Sequence, residues 1–578
     1  MKSVYLFQPQ YAVEYGKQDT YYLPYSVACL WSYANTFSEI SQNYHLQELG
    51  FRREDPQYII ERMQINRPDV VGFSCYVWNK KYCLYLASCI KILFPKCKII
   101  FGGADTSPDL LKHTFIDSIM LGEGEESFVD FLLNDSPPRI YPKSRLQSLD
   151  FPSPYTSGIF DNLLRDNPSV VWSMTLETNR GCPFSCTFCD WGGVTYSKIR
   201  KFEMDRIEAD IAWAIDKPVS YLVCADANFG VFKERDIQIA RWIRTACDSG
   251  MIDAVNLQFA KNSTEAVYKI AMILGTFCRG VTVSVQSMNQ STLTAIKRRN
   301  MEINRVSELL RLSQKYRVKT YTEVILGLPE ETLESWCDGL CQILEFGQHD
   351  SIDIWFANLL ENSEMSQKRD QWSLKSVWAT DYFALYNEGD WQGIQETVEI
   401  VNSTSTMTQD ELVEAYMYGW LIVHWHIAGY SQVVARELRK SVGVQYRDYY
   451  DLLYKRVQSD ETFADHFETM RSLVRRYLST GTIDHASGHA LHNISSKWMY
   501  DRKTEAVQLS IDCASSFDML DETLEQVQRH FIFDKNTTYP VKLGNITINS
   551  QTATDDLDFY ALRRQGLLKC HIEGFFDG

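Results

Sequence analysis

The sequence is short of histidine, with 11 among 578 residues, and none lies between His113 and His349. A metal centre built on imidazole therefore has no ligands across the middle of the chain. Excess positive charge is also missing: 58 Lys and Arg face 74 Asp and Glu, a formal net charge of -16. That balance opposes phosphate backbones and excludes nucleic acid as an expected partner. Long apolar runs are absent too. The strongest, Tyr418 to Tyr430, has about two thirds of the ~20 residues a membrane span needs and contains two histidines. No membrane span is expected. The opening MKSVYLFQPQYAV lacks the apolar core and small-residue cleavage site of a secretory signal and is expected to be a first strand. A cytoplasmic location follows as an expectation, and the sequence shows no internal repeat or long low-complexity tract.

What is present is an ordinary globular composition, 45% apolar and 23% charged. The length suggests two to four domains at about 150 residues each. Fifteen cysteines in a chain without a signal peptide are expected to be thiols, a minority of them chemical. Cys83, Cys89, Cys247, Cys278 and Cys513 lie in apolar or amphipathic surroundings and are assigned no chemistry.

From Lys2 to about Leu133, β-like runs (SVYLF, then 69–76, 97–103 and 117–125) alternate with helical stretches, the pattern of a doubly wound parallel sheet. Between Asn134 and Asn162 a Pro- and Ser-dense stretch marks a linker. A second alternation follows, with strand candidates at 172–178, 220–225, 255–260, 281–286, 318–326 and 352–358, which suggests a partial (β/α) barrel. After about Met365 the strands fade and long amphipathic segments dominate, one opened by the capping box Thr408–Glu411. The fold class is thus α/β. The expected domains are 1–133, Rossmann-like; 134–165, linker; 166–365, partial barrel; and 366–578, mostly helical.

The most informative segment is Cys182-Pro-Phe-Ser-Cys186-Thr-Phe-Cys189-Asp-Trp-Gly-Gly193, directly after the first barrel strand. Three thiolates at spacings of four and three can wrap one face of a cubane cluster and leave its fourth iron open. No further cysteine occurs until Cys224. A zinc site completed by Asp190 or a distant cysteine, or a chance group of buried thiols, stays open at this point.

Cys-x3-Cys-x-aromatic-Cys after the first strand of a six-stranded partial barrel resembles the signature of the radical SAM superfamily. The resemblance implies a [4Fe-4S] cluster on Cys182, Cys186 and Cys189, with S-adenosylmethionine (SAM) on the open iron. It further implies that Phe188 packs by the adenine, that Asp226 meets the SAM ammonium, and that Ser284 and Gln286 contact the ribose. Glu323 with Gly327-Leu-Pro329 resembles the fifth-strand motif. Glu330 and Glu331 follow it and are expected to form a charged helix start. Arg298 either pairs with the SAM carboxylate or belongs to a solvated Lys-Arg-Arg run.

A doubly wound domain ahead of such a barrel is similar to the cobalamin-binding class of that superfamily, over roughly residues 1–365. On that resemblance Gly102, Gly103 and Thr106, then Gly122, Glu123 and Gly124, approach the corrin or its nucleotide tail. The cobalt-ligating motif Asp-x-His-x-x-Gly of many cobalamin domains is absent. Residues of Tyr21–Trp31 or Ser74–Asn79 could face the cobalt instead, and a core role for Tyr76 and Trp78 stands beside that reading.

The implied reaction is radical methylation, in which a deoxyadenosyl radical removes hydrogen from an unactivated carbon and the substrate radical takes methyl from methylcobalamin. The substrate would be a small molecule or peptide, and the electron donor a protein such as flavodoxin or ferredoxin. Two alternatives remain: a cobalamin-dependent radical enzyme that rearranges, cyclises or oxidises, and a non-catalytic metal-binding module. After residue 366 the cysteines are Cys513 and Cys570, too few for an auxiliary cluster domain. The tryptophans Trp372, Trp378, Trp391, Trp420 and Trp425 are expected in a helical core, and His424 and His426 are not expected to be ligands.

Overall fold

The computed structural model describes residues 1–11, 20–190, 198–260, 265–298, 306–380, 390–482, 498–499 and 501–517, with 303–305, 541–543 and 546–548 as backbone. Trp191–Gly193 of the cysteine motif and Cys570 lie outside the described residues. Contacts divide the chain into two compact units. One comprises 1–279, 358–369 and 380–399, and the other 280–357, 370–379 and 400–578.

In the first unit the apolar runs become β1 (Lys2–Gln10), β2 (Thr20–Tyr22), β3 (Tyr44–Arg52), β4 (Val70–Ser74), β5 (Lys98–Gly102), β6 (Ser118–Gly122) and β7 (Ile140–Ser144). All but β2 form one parallel sheet in the order β3-β1-β4-β5-β6-β7. The order reverses between β1 and β4, and open α/β sheets bind ligands outside the carboxyl ends of the strands at such a point. Val71, Phe73, Ile99 and Phe101 pack with Tyr82, Cys83, Leu86 and Ile90 of the helix Lys80–Leu93. Cys83 and Cys247 are buried core thiols, and burial pushes Cys247 up to about 12, as expected for inert cysteines.

Residues 134–165, expected to be linker, contain β7 and the helix Asp161–Asp166. Pro142 is tolerated because β7 is the edge of the sheet, where no N–H is owed to an outer neighbour. The edge strand β3 also escapes the sequence pattern, since Glu48 and Arg52 interrupt its apolar character.

The first half of the second alternation forms β8 (Val171–Leu176), β9 (Asn179–Arg180), β10 (Arg200–Lys201), β11 (Val219–Phe229) and β12 (Ala254–Phe259). Strands β12-β11-β8-β2 make a parallel sheet, and β9 pairs antiparallel with β10.

In the second unit, β13 (Val281–Thr282), β14 (Thr320–Leu326) and β15 (Ile352–Phe356) are parallel in that order. The expected strand 281–286 ends at Thr282, and Gln286, with a left-handed φ of 61°, still bridges Val324. Helices Gln409–Leu421, Gln432–Ser441, Tyr446–Val457 and Ala464–Thr480 follow, the first opened by the expected Thr408–Glu411 capping box. Trp420 and Trp425 are in this core, whereas Trp378 is exposed. The strands do not fade entirely after Met365, since β16 (Lys375–Thr380) and β17 (Thr397–Ser403) are extended. No described helix is long and apolar enough to cross a membrane.

Candidate active site

The chain leaves β8 at Leu176 and enters a loop closed at its base by the β9–β10 ribbon, with Asn179 opposite Lys201 and Arg180 opposite Arg200. Gly181 has a φ of 112°, and a Cβ there would lie 2.7 Å from the Lys198 carbonyl, so the returning chain admits only glycine beside Cys182. Cys182 and Cys186 are buried, Cys189 is half-buried, and none forms a disulfide. The Cys189 amide donates to the Cys186 carbonyl (3.2 Å), which turns the third thiol back toward the second. Asn228, near the end of β11, donates its amide to Cys182 Sγ (3.3 Å).

Asp226, two residues earlier on β11, corrects an expectation. Its carboxylate accepts from the Thr178 amide (2.8 Å), the Thr178 hydroxyl, the Asn179 amide (3.1 Å) and Asn179 Nδ2 (2.5 Å). Both oxygens hold the base of the cysteine loop. Burial raises Asp226 to about 7 despite these donors. Arg235 adds a bond from Nη2 to the Thr178 carbonyl (2.6 Å).

Arg180 is the half-buried hub on the other side of the ribbon. It pairs with Glu125 (2.7 Å), Glu177 (2.9 Å) and Glu123 (3.7 Å). Glu123, expected at the corrin, instead forms an ion pair with Arg200 and accepts from the Leu146 amide (2.8 Å). The loop after β6 is thereby fastened to the ribbon that carries the cysteines.

Gly103 and Gly122 have φ of 98° and 80°, and a Cβ at either would meet backbone, Cys75 O at 2.5 Å or Ser144 O at 2.6 Å. Close approach of the protein's own chain therefore accounts for these glycines. Gly102 and Gly124 pack by Met120, and Gly124 also by Leu30. Thr106 is different, for its Oγ1 is buried with no hydrogen-bond partner among the described residues. Thr187 Oγ1 and Trp78 Nε1 share that state. Trp78 stacks on Tyr76 at 4.5 Å, and the Tyr21 hydroxyl donates to Asp390 (3.0 Å). At the switch point, Gln8 accepts from the Ser26 amide (2.9 Å) and Ser26 meets Ser74 (2.9 Å).

In the second unit the structure brings together two residues expected from sequence: Ser284 donates to Glu323 Oε2 (2.7 Å). Gln286 is buried, and its Oε1 has no partner within the protein. A left-handed non-glycine residue with an orphaned buried carbonyl is a feature of ligand sites. Arg298 is buried rather than solvated and donates to the Ser284 carbonyl (2.5 Å). Glu331, expected on a charged helix start, is also buried and accepts from Ser287 and Ser335.

Comparison with known proteins now decides the family. Residues 31–132 match the B12 binding domain and residues 176–338 the radical SAM superfamily. The chain is 31% identical over 498 residues to the cobalamin-dependent radical SAM methyltransferase TokK of Streptomyces tokunonensis, covering 80% of this chain and 72% of that one. The chain belongs to the cobalamin-dependent radical SAM enzymes.

A second relative is the 2-(S-pantetheinyl)-carbapenam-3-carboxylate methyltransferase of Streptantibioticus cattleyicolor, 30% identical over 496 residues and covering 79% and 71% of the two chains. The radical SAM methyltransferase TsrM of Kitasatospora setae, solved with cobalamin and a [4Fe-4S] cluster, has the same fold. Its TM-score is 0.52 at 15% identity, covering 83% of this chain and 99% of that one.

The cofactors of this radical SAM enzyme are a [4Fe-4S] cluster, SAM and cobalamin. Its residues fit them. Among the described residues no three His, Cys, Asp or Glu side chains gather as ligands of a single ion. Three separate thiolates suit a cubane, which takes one thiolate per iron. Among the described residues, buried polar atoms of Thr106, Trp78 and Gln286 have no hydrogen-bond partner, a state compatible with meeting an organic ligand. Sequence reasoning missed Asn228, although its position two residues beyond Asp226 on the same strand face was a usable signal.

Proposed function

We propose that this enzyme methylates an unactivated carbon of a small-molecule or peptide substrate. The observation that carries the reading is Arg180, which joins Glu125 after β6 of the cobalamin-binding sheet to Glu177 and the ribbon of the cysteine loop. A reaction that uses two cofactors in sequence needs their loops in fixed register. The names of both curated relatives as methyltransferases support it. When bound, SAM on the reduced cluster supplies hydrogen abstraction and cobalamin supplies methyl transfer, chemistry that side chains cannot perform.

The chain's own residues bind and orient. Cys182, Cys186 and Cys189 would hold the cluster, and Asn228 would donate to the first thiolate. Phe188 would pack by the adenine. In the second unit Gln286, Ser284 and Glu323 would take the ribose side of SAM. Thr106 would meet a polar group of cobalamin, with Gly102 and Gly122–Gly124 shaping the loops around it. Asp226 and Arg235 hold the backbone from which the cysteine loop departs.

The segments 1–133, 134–165, 166–365 and 366–578 are the domain division we propose. A reducing cytoplasmic location and an electron donor such as flavodoxin or ferredoxin suit a cluster held by thiolates.

The test is an anaerobic incubation of cluster-reconstituted protein with SAM, a strong reductant and hydroxocobalamin, with 5′-deoxyadenosine and S-adenosylhomocysteine quantified by mass spectrometry. Both products are expected, the second vanishing when cobalamin is omitted. Deoxyadenosine without adenosylhomocysteine would overturn methylation in favour of a rearrangement, cyclisation or oxidation.

A further inference from the structure

We propose that Leu359–Arg369 is a strap that fixes the loop Gly102–Ser107 against the cysteine loop Cys182–Cys189, with Asn362 as its positioning residue. The inference rests on the cofactor assignment of those two loops given above.

Both ends of the strap are fastened to one residue. The Leu359 amide donates to the Glu399 carbonyl (2.8 Å), and Arg369 grips the Glu399 carboxylate with Nη1 (2.9 Å) and Nη2 (2.8 Å). A bidentate guanidinium–carboxylate pair fixes orientation as well as distance.

Between these ends the strap reaches in two directions. Asn362 Nδ2 donates to the carbonyls of Ala104 (2.7 Å) and Thr106 (3.1 Å). Glu361 accepts from Ser107 (3.0 Å) and Lys80 (3.2 Å), and the same ammonium reaches Asp105 (3.0 Å). Three residues beyond Asn362, the Met365 amide donates to the Thr187 carbonyl (2.8 Å), between the second and third cysteines. Ser363 is buried and caps the short turn by accepting from the Ser366 amide (3.2 Å).

The backbone from Asn362 to Met365 spans at most about 10 Å. That short length of chain holds Thr106 by its carbonyl on one side and Thr187 by its carbonyl on the other. These are the same two threonines whose hydroxyls are buried and unpartnered among the described residues. The strap engages the main chain of each loop and leaves the adjacent side-chain donors available to a ligand. Its role is to set the spacing of two reacting centres, and nothing in it needs to touch either.

The experiment uses the full chain, reconstituted with its cluster and loaded with hydroxocobalamin. After reduction the cobalt(II) and the reduced cluster are both paramagnetic, and their magnetic coupling by EPR reports the distance between them. Asn362→Ala removes the grip on the corrin-side loop, and Arg369→Gln releases an end of the strap that touches neither loop. Each is expected to spread the interspin distance by about 1 Å, the looseness of an unsupported site, with hydroxocobalamin affinity and iron content close to those of the parent.

Unchanged coupling in both variants would overturn the strap while leaving the cofactor assignment intact. Loss of hydroxocobalamin or iron from both variants at unchanged melting temperature would also overturn it, making the segment part of a binding site. Failure of the parent chain to bind hydroxocobalamin would bring down the assignment and the strap with it.

Discussion

Asp226 accepts four hydrogen bonds yet is raised to about 7, because burial outweighs its donors. A carboxylate whose folded pKa lies above its unfolded value holds a proton that the unfolded chain has lost. Its contribution to stability is therefore present below the unfolded pKa, near 4, and is lost as pH rises through about 7. The denaturation midpoint of the parent chain should fall across that window, and Asp226→Asn should flatten this part of the profile. The amide would turn a donor toward donors, lowering stability by about 1–3 kcal/mol at low pH as well, which urea titrations at several pH values would measure. Asn228→Ala should move the cluster's reduction potential downward, because a bond to a thiolate sulfur favours the more electron-rich state; an EPR-monitored redox titration reads it. Replacing Cys182, Cys186 or Cys189 by Ala should abolish retention of about four irons per chain, measured by iron assay after reconstitution. At this scale the triad was legible because its spacing is carried within eight residues. The contacts of Arg180 and Arg298 were not legible, since each acts on a residue distant in sequence, Glu125 and Ser284 respectively.

The β9–β10 ribbon and the glutamates behind it form the element that turns a loop into a site. Arg180→Met should leave buried Glu125 and half-buried Glu177 without their cation and cost about 3 kcal/mol, visible as a drop in the denaturation midpoint. If the ion pairs were ornamental, the melting temperature of that variant would match the parent. The central strands β1, β4, β5 and β6 and the later strands β8, β11, β12, β14 and β15 were legible as apolar runs of the right length. The failures have physical causes. Edge strands β3 and β7 need only one apolar face, so charges and Pro142 hide them. β13 stops at two residues, and the left-handed backbone of Gln286 beyond it is one that no composition rule anticipates. Ribbon strands of two residues carry no periodicity at all.

The division into two units places both the cobalamin-binding sheet and the cysteine loop in the first. Ligand binding stabilises what binds it, by about 2.7 kcal/mol at a free concentration of 100 times Kd. Hydroxocobalamin should accordingly slow amide hydrogen exchange around Gly102–Ser107 and Gly122–Gly124, while the helices Gln409–Leu421 and Ala464–Thr480 exchange as before. Equal protection throughout would mean that the units unfold as one.

The outer strand β7 carries a consequence for the chain in company with its own copies. A six-stranded parallel sheet with an open edge offers a row of unpaired amides and carbonyls on which another chain could continue the ladder. Pro142 removes a donor from that row and Lys143 adds charge beside it. The edge thus acts as a gatekeeper against strand-by-strand aggregation, and the residues that obscured β7 in the sequence are those that keep the sheet from growing.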